Sequence, residues 1–192
     1  MRRVGVLSLP GDVGEHVAIL ESLDVDVVKV RTPEHLESVE ALIVPGGEST
    51  TIAHLLLTSG LKDELGARIK DGLPVFGTCA GLILLSTEVL DGRSDQWSYA
   101  ALALSVRRNG YGRQIASFES PLHVKGLGEV AGVFIRAPKI EHVDESVEVL
   151  ASYDHGDGAH PVLVRQGLVW GASFHPELAH DARVHGLFLD SI

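Results

Sequence analysis

The chain has 192 residues, and 16 Lys and Arg against 26 Asp and Glu leave a formal net charge of −10. At 45% hydrophobic and 22% charged residues, the composition is that of a folded chain rather than a disordered one, and a single domain over residues 1–192 is expected. The acidic balance argues against a nucleic-acid-binding module, and the lone cysteine, Cys79, excludes an intramolecular disulfide framework.

The apolar stretch after Met1-Arg2-Arg3 breaks at Pro10-Gly11-Asp12, too early for a signal peptide. The longest charge-free apolar run, residues 73–87, contains Pro74, Gly77 and Gly81 and is shorter than the roughly 20 residues a spanning helix needs. A soluble, cytoplasmic protein without a membrane partner is expected.

In chain order, Val4-Gly5-Val6-Leu7-Ser8-Leu9 reads as a buried strand ended by Pro10-Gly11. Val13, Val17 and Leu20 then recur at helical spacing, with Glu15, His16 and Glu21 between them. Strands are expected at 25–30, 41–44 and 74–76, with helices around 52–56 and over 61–70. Strands alternating with helices imply parallel pairing through crossovers, hence a three-layer α/β fold with helices on both faces of a mostly parallel sheet. The second half changes character. Strands are expected at 101–106, 114–118, 130–136, 147–152, 161–166 and 168–174, separated by turn residues, which suggests extra antiparallel hairpins. Residues 183–189, with Val184, Leu187 and Phe188 on one face, form the expected last helix.

The sharpest chemical signal is Gly77-Thr78-Cys79-Ala80-Gly81, between an expected strand and an apolar helix. This is the G-x-nucleophile-x-G elbow with cysteine as the nucleophile. A side chain at either glycine should clash in so tight a turn, and the helix N-terminus favours thiolate. A base and an orienting acid are supplied by Phe174-His175-Pro176-Glu177 at a strand end, because residues i and i+2 of an extended segment point the same way. His16, His54, His123, His142 and His185 lack such a context and read as surface or helix residues. His155, His160, His175 and His180 are spaced too loosely to suggest a metal site. A third element, Val44-Pro45-Gly46-Gly47-Glu48-Ser49-Thr50, can turn backbone N–H groups toward an oxyanion, with the Ala80 N–H as second donor. Its blander reading is a turn with Ser49 or Thr50 as helix N-cap.

The early G-x-C-x-G and the late His-Pro-Glu resemble the class I (triad) glutamine amidotransferases. The narrower resemblance is to the family of glutaminase subunits of pyridoxal 5′-phosphate synthase. It rests on Gly5 to Leu9, Pro45-Gly46-Gly47-Glu48-Ser49-Thr50-Thr51, the elbow, Arg107-Arg108-Asn109-Gly110-Tyr111-Gly112-Arg113-Gln114, Ser117-Phe118-Glu119, Phe134-Ile135-Arg136-Ala137-Pro138 and Phe174 to Leu178. The resemblance implies Cys79 as nucleophile, His175 as base and then acid, and Glu177 as orienting carboxylate. It further implies a glutamine pocket of Gly46, Gly47, Glu48, Ser49, Arg108, Ile135 and Arg136. An arginine suits the α-carboxylate of the substrate. The implied partner is a (β/α)₈-barrel synthase subunit that receives the ammonia, and no metal or organic cofactor is implied on this chain. Two departures stand out: Pro10 replaces the glutamine usual in that family and cannot supply a side-chain amide, and residues 91–101 match poorly and read as a variable loop. A γ-glutamyl hydrolase or cysteine peptidase on the same fold would carry the same elbow, base and acid. A non-catalytic regulatory module would be expected to have lost one of them.

Overall fold

A computed structural model describes residues 1–9, 13–111 and 117–192. Pro10, and with it the departure at that position, lies outside them, as do residues 114–116 of the strand expected at 114–118. In chain order the first half contains β1 (Arg3–Leu7), α1 (Gly14–Glu21), β2 (Asp26–Val30), α2 (Pro33–Glu37), β3 (Ala41–Val44), α3 (Ser49–Thr58), α4 (Leu61–Lys70), β4 (Val75–Thr78) and α5 (Ala80–Leu85). The second half contains β5 (Ser86–Val89), β6 (Leu102–Arg107), β7 (Ser117–Val124), β8 (Gly128–Ile135), β9 (Lys139–Val143), β10 (Glu148–Asp154), β11 (Ala159–Gln166), β12 (Val169–Ala172) and α6 (Arg183–Asp190). Among the described residues no helix is long and apolar enough to cross a membrane.

The central sheet has seven strands in the order β10-β11-β12-β4-β3-β1-β2. From β12 to β2 the pairings are parallel, and β10 and β11 extend the sheet antiparallel. Alternate residues of each strand face opposite ways, which builds two cores. Leu42, Val44 and Val75 pack with α3, α4 and α5 on one face, whereas Ile43, Phe76, Trp170 and Ala172 pack on the other with Val184 and Phe188 of α6. The mostly parallel three-layer fold thus stands.

Three elements escaped the sequence reading. α2 is only five residues long, with Pro33 at its start and the Thr32 side chain accepting from the His35 N–H. β5 and β9 flank β6 in a separate three-stranded sheet, and β5 pairs with β6 in parallel, not as a hairpin. β7 and β8 do form an antiparallel hairpin, in a two-stranded sheet of its own. The carboxyl ends of β3, β4 and β12, adjacent parallel strands, bring the three chemical motifs to one edge of the sheet, where α/β folds place ligands.

Candidate active site

The elbow closes as the glycines require. A Cβ on Gly77 would lie 2.6 Å from the Gly81 carbonyl carbon, and one on Gly81 would lie 2.0 Å from the Val44 carbonyl oxygen. Both distances are far inside contact range, so only hydrogen fits between these backbones. Cys79 sits between β4 and α5 with φ of 50° and ψ of −105°, a conformation costly for a residue with a Cβ. Its N–H donates to the Ala172 carbonyl of β12 at 2.8 Å, which fixes the turn against the neighbouring strand.

His175 follows β12 and is anchored by its own N–H on the Val133 carbonyl of β8 (2.8 Å). Its Nδ1 lies 2.6 Å from Glu177 Oε1, and its ring lines the same cavity as Cys79. Burial alone would lower the imidazole pKa. Donation from the ring toward Cys79 and Glu177, and the charges of both, outweigh it and raise the pKa from 6.5 to about 10. Glu177 is 3% exposed and begins its turn directly after Pro176, in the short 3₁₀ helix Pro176–Ala179. Cys79, His175 and Glu177 are therefore brought together, the imidazole bonded to the carboxylate and lining the same cavity as the thiol.

In front of Cys79 lies a cavity of about 200 Å³, lined by Gly47, Glu48, Ser49, Cys79, Ile83, Arg108, Asn109, Ile135, Arg136 and His175. Six of the seven expected pocket residues line it. Gly46 instead lies behind, where an added Cβ would meet His175 Cε1 at 2.7 Å. Ala80 is buried at the start of α5 and does not line the cavity. Ile83, one turn into α5, and Asn109 were missed. The apolar run of α5 hid the first, and the second is carried in by its neighbour Arg108. The turn that presents them is pressed against β9, since a Cβ on Gly110 would lie 2.0 Å from Lys139 Cβ.

Glu48, not Ser49 or Thr50, is the N-cap of α3. Its carboxylate accepts from the Thr50 and Thr51 N–H groups (3.2 and 2.8 Å) and from both threonine hydroxyls. A carboxylate satisfies the orphan donors of a helix start as a hydroxyl does, and it also complements the dipole. Arg108 Nη2 donates to the same carboxylate at 2.9 Å. Burial opposes ionisation of Glu48, but the hydrogen bonds from Thr50 and Thr51 prevail and bring its pKa down to about 2. The variable loop also reaches the site. Gln96 Nε2 donates to Ser49 Oγ at 3.2 Å, and Asp91 Oδ1 accepts the Arg108 N–H at 2.7 Å.

Two of the histidines read as surface or helix residues do lie on helices, but on their buried faces. His16 of α1 and His185 of α6 are both 0% exposed and in contact with each other behind Glu177. Among the described residues, no group of three or more His, Cys, Asp and Glu side chains is arranged to hold a metal ion.

The SNO glutamine amidotransferase family model matches residues 6–192. The chain is 50% identical over 192 residues to pyridoxal 5′-phosphate synthase subunit PdxT of Salinispora tropica, covering 98% of this chain and 96% of that one. Identity is also 50%, over 190 residues and with the same coverage, to the PdxT subunit of Mycobacteroides abscessus. A crystal structure of a glutamine amidotransferase superposes with a TM-score of 0.91 at 51% identity, covering 98% of this chain and 97% of that one. PurLQS from Thermotoga maritima, at 17% identity and a TM-score of 0.70, shares the fold. The chain belongs to the SNO glutamine amidotransferase family.

Proposed function

We propose that this chain is a glutaminase, a single catalytic domain over residues 1–192 that hydrolyses L-glutamine to L-glutamate and ammonia through a thioester on Cys79. The observation that carries the reading is the Cys79–His175–Glu177 line opening on a small cavity with an arginine at its rim. A volume of about 200 Å³ suits a free amino acid better than a peptide or a drug-sized molecule.

Cys79, paired with the His175 imidazolium, attacks the side-chain carboxamide, and its bond to carbon forms as the carbonyl π pair moves onto oxygen. The N–H groups of Gly47 and Ala80 take up that charge. His175 gives its proton to the nitrogen, the C–N bond breaks and ammonia leaves. In the thioester Cys79 no longer bears a charge, so one of the supports of the high imidazole pKa is gone and His175 can accept a proton from water. The hydroxide so formed displaces Cys79, giving glutamate. Glu177 holds the ring orientation throughout. Arg108 keeps donors beyond the one on Glu48, enough to take the substrate α-carboxylate as well. Gly46 allows His175 its approach, and Glu48, Ser49, Ile135 and Arg136 shape the pocket. Cysteine chemistry of this kind needs no metal or organic cofactor.

Relatives at 50% identity bear the name of pyridoxal 5′-phosphate synthase subunits, which supports a role in supplying ammonia to a (β/α)₈-barrel synthase subunit in the cytoplasm. Free ammonia is protonated and lost in water, so hydrolysis should be coupled to a docked acceptor. Leu7 and Leu9, at and just beyond the end of β1, share a small cavity with Pro45, Gly46 and Ile52, so a partner seated at the end of β1 could bias the Gly46–Gly47 peptide.

The test is ammonia release from glutamine by the wild type and by Cys79→Ala, each alone and with saturating synthase subunit. Cys79→Ala should fold normally and release none. The wild type should turn over slowly alone and faster with the synthase, whereas equal rates would favour a stand-alone hydrolase.

A further inference from the structure

Behind the triad, on the side away from the cavity, His16 and His185 come from opposite ends of the chain and meet in the core. His16 Nδ1 lies 2.9 Å from His185 Nε2. His16 Nε2 lies 3.3 Å from Thr78 Oγ1 and 3.5 Å from Glu177 Oε2. Glu177 Oε1 is taken by His175, but Oε2 is buried and has no hydrogen bond within normal range among the described residues. A buried carboxylate oxygen without a donor is costly. The group facing it is His16 Nε2.

The proton count decides which way the chain of rings points. Burial, then the proximity of His185 and His175, holds the His16 pKa well below 6.5, and burial lowers His185 to about 4. Both rings are therefore neutral, with one N–H each. His185 Nδ1 has no partner among the described residues. If it carried the hydrogen, a donor would be buried unpaired and the His16 Nε2 lone pair would face the Glu177 carboxylate. The opposite arrangement leaves only an unpaired acceptor. The His185 hydrogen thus sits on Nε2 and is donated to His16 Nδ1, and the His16 hydrogen sits on Nε2, aimed at Thr78 Oγ1 and Glu177 Oε2. A neutral donor has a further advantage, because a second imidazolium would compete with His175 for the charge of Glu177.

We infer that His16, with its tautomer fixed by His185, is a positioning residue for the glutaminase reaction that clamps Glu177 from the side opposite His175. This rests on the triad reading proposed above. The contact to Oε2 is long in the free chain and shortens when substrate draws the triad together, as catalytic hydrogen bonds commonly do. Thr78 completes the clamp from β4, one residue before the nucleophile.

The test compares full-length His16→Leu, His16→Gln and His16→Asn with the wild type and Cys79→Ala, assayed for ammonia release in the presence of the synthase subunit, with melting curves for each. Loss of a buried donor to a charged acceptor should lower kcat of His16→Leu about 10–100-fold while KM for glutamine stays unchanged. The glutamine amide nitrogen reaches the place of Nε2 and that of asparagine reaches the place of Nδ1, so His16→Gln should recover most of the loss and His16→Asn should not. If His16→Leu fails to fold, the Gln–Asn difference carries the comparison. Nitrogen-15 correlation spectra of the wild type should show both rings with hydrogen on Nε2. Wild-type kcat in His16→Leu, equal activity of the Gln and Asn variants, or an Nδ1–H tautomer at His16 would overturn the inference. Activity in Cys79→Ala would instead overturn the triad reading beneath it.

Discussion

Two adjacent parallel strands, β3 and β4, end in glycine loops that each open a helix, yet the loops are built to opposite purposes. The elbow after β4 is buried throughout, and its glycines exist because backbone presses on backbone, with the Val44 carbonyl filling the space a Gly81 side chain would need. The loop after β3 is buried only as far as Gly46. Gly47 and Glu48 are exposed, Gly47 has a φ of 138°, and the helix beyond is capped by the side chain of Glu48. One glycine pair is a consequence of close packing. In the other, Gly46 makes room for the His175 ring while Gly47, at positive φ, forms an exposed turn at the cavity. The same sequence pattern therefore holds Cys79 in a close-packed turn in one place and presents an exposed loop at the cavity in the next.

Alanine at one glycine of each loop should separate these roles. Gly81→Ala sets a Cβ 2.0 Å from a carbonyl oxygen of the central sheet, and neither backbone can yield without opening the β3–β4 pairing. A loss of about 4 kcal/mol or more is expected, in the class of severe backbone and overpacking defects. Thermal unfolding of the purified variant, or failure to obtain it soluble, reads this directly, and a melting temperature near wild type would show the elbow to be less rigid than described.

Gly46→Ala is the milder change. The atom its Cβ meets is His175 Cε1 at 2.7 Å, the far side of a ring that can tilt, so the fold should survive. The tilt, however, moves the imidazole relative to Cys79 and to its 2.6 Å bond with Glu177. A displacement approaching 1 Å at a reacting group costs about 10²-fold. Ammonia release should accordingly drop by about that factor while the melting temperature changes little. Loss of stability without loss of rate would reverse the contrast between the loops.

How much of this was legible in the sequence depended on whether the signal was local. The order of strands and helices in the first half followed from apolar runs and Gly or Pro breaks, and β3 and α4 fell at the expected residues. The elbow and His-Pro-Glu were legible because each motif lies within five residues. β5 and β9 were not, since they are short and pair with a strand the sequence places far away. His16 and His185 illustrate the other limit. His16 falls three residues after Val13 and four before Leu20, and His185 falls three and four before Phe188 and Leu189, so both sit on inward helix faces. The periodicity was present, but polar residues on an apolar face read as interruptions until a partner across the chain is known. The cap at Glu48 was hidden for a related reason: Ser49 and Thr50, one and two positions on, compete for the same role, and only geometry shows that the hydroxyls of Thr50 and Thr51 donate to the carboxylate.

The smallest expected effect belongs to that cap and sharpens the view of the β3 loop as a binding surface. Glu48→Ala removes the acceptor for the Thr50 and Thr51 N–H groups and releases Arg108. Loss of an N-cap costs about 1 kcal/mol, and the exposed ion pair adds little to that. The pH dependence has a definite sign. The Glu48 pKa is brought from 4.5 down to about 2 in the folded chain, so its stabilising contribution is present above 4.5 and fades as pH falls toward 2. The gap in melting temperature between wild type and Glu48→Ala should thus be constant from pH 7 to about 5 and narrow below that. Glutamine binding adds a second reading. If Arg108 is held ready by Glu48, its release should raise KM for glutamine more than it lowers kcat, because on the proposed reading the arginine would contact the substrate carboxylate before and during the reaction alike. A kcat loss with unchanged KM would move Glu48 from the binding loop into the chemical step and erase the distinction between the two loops.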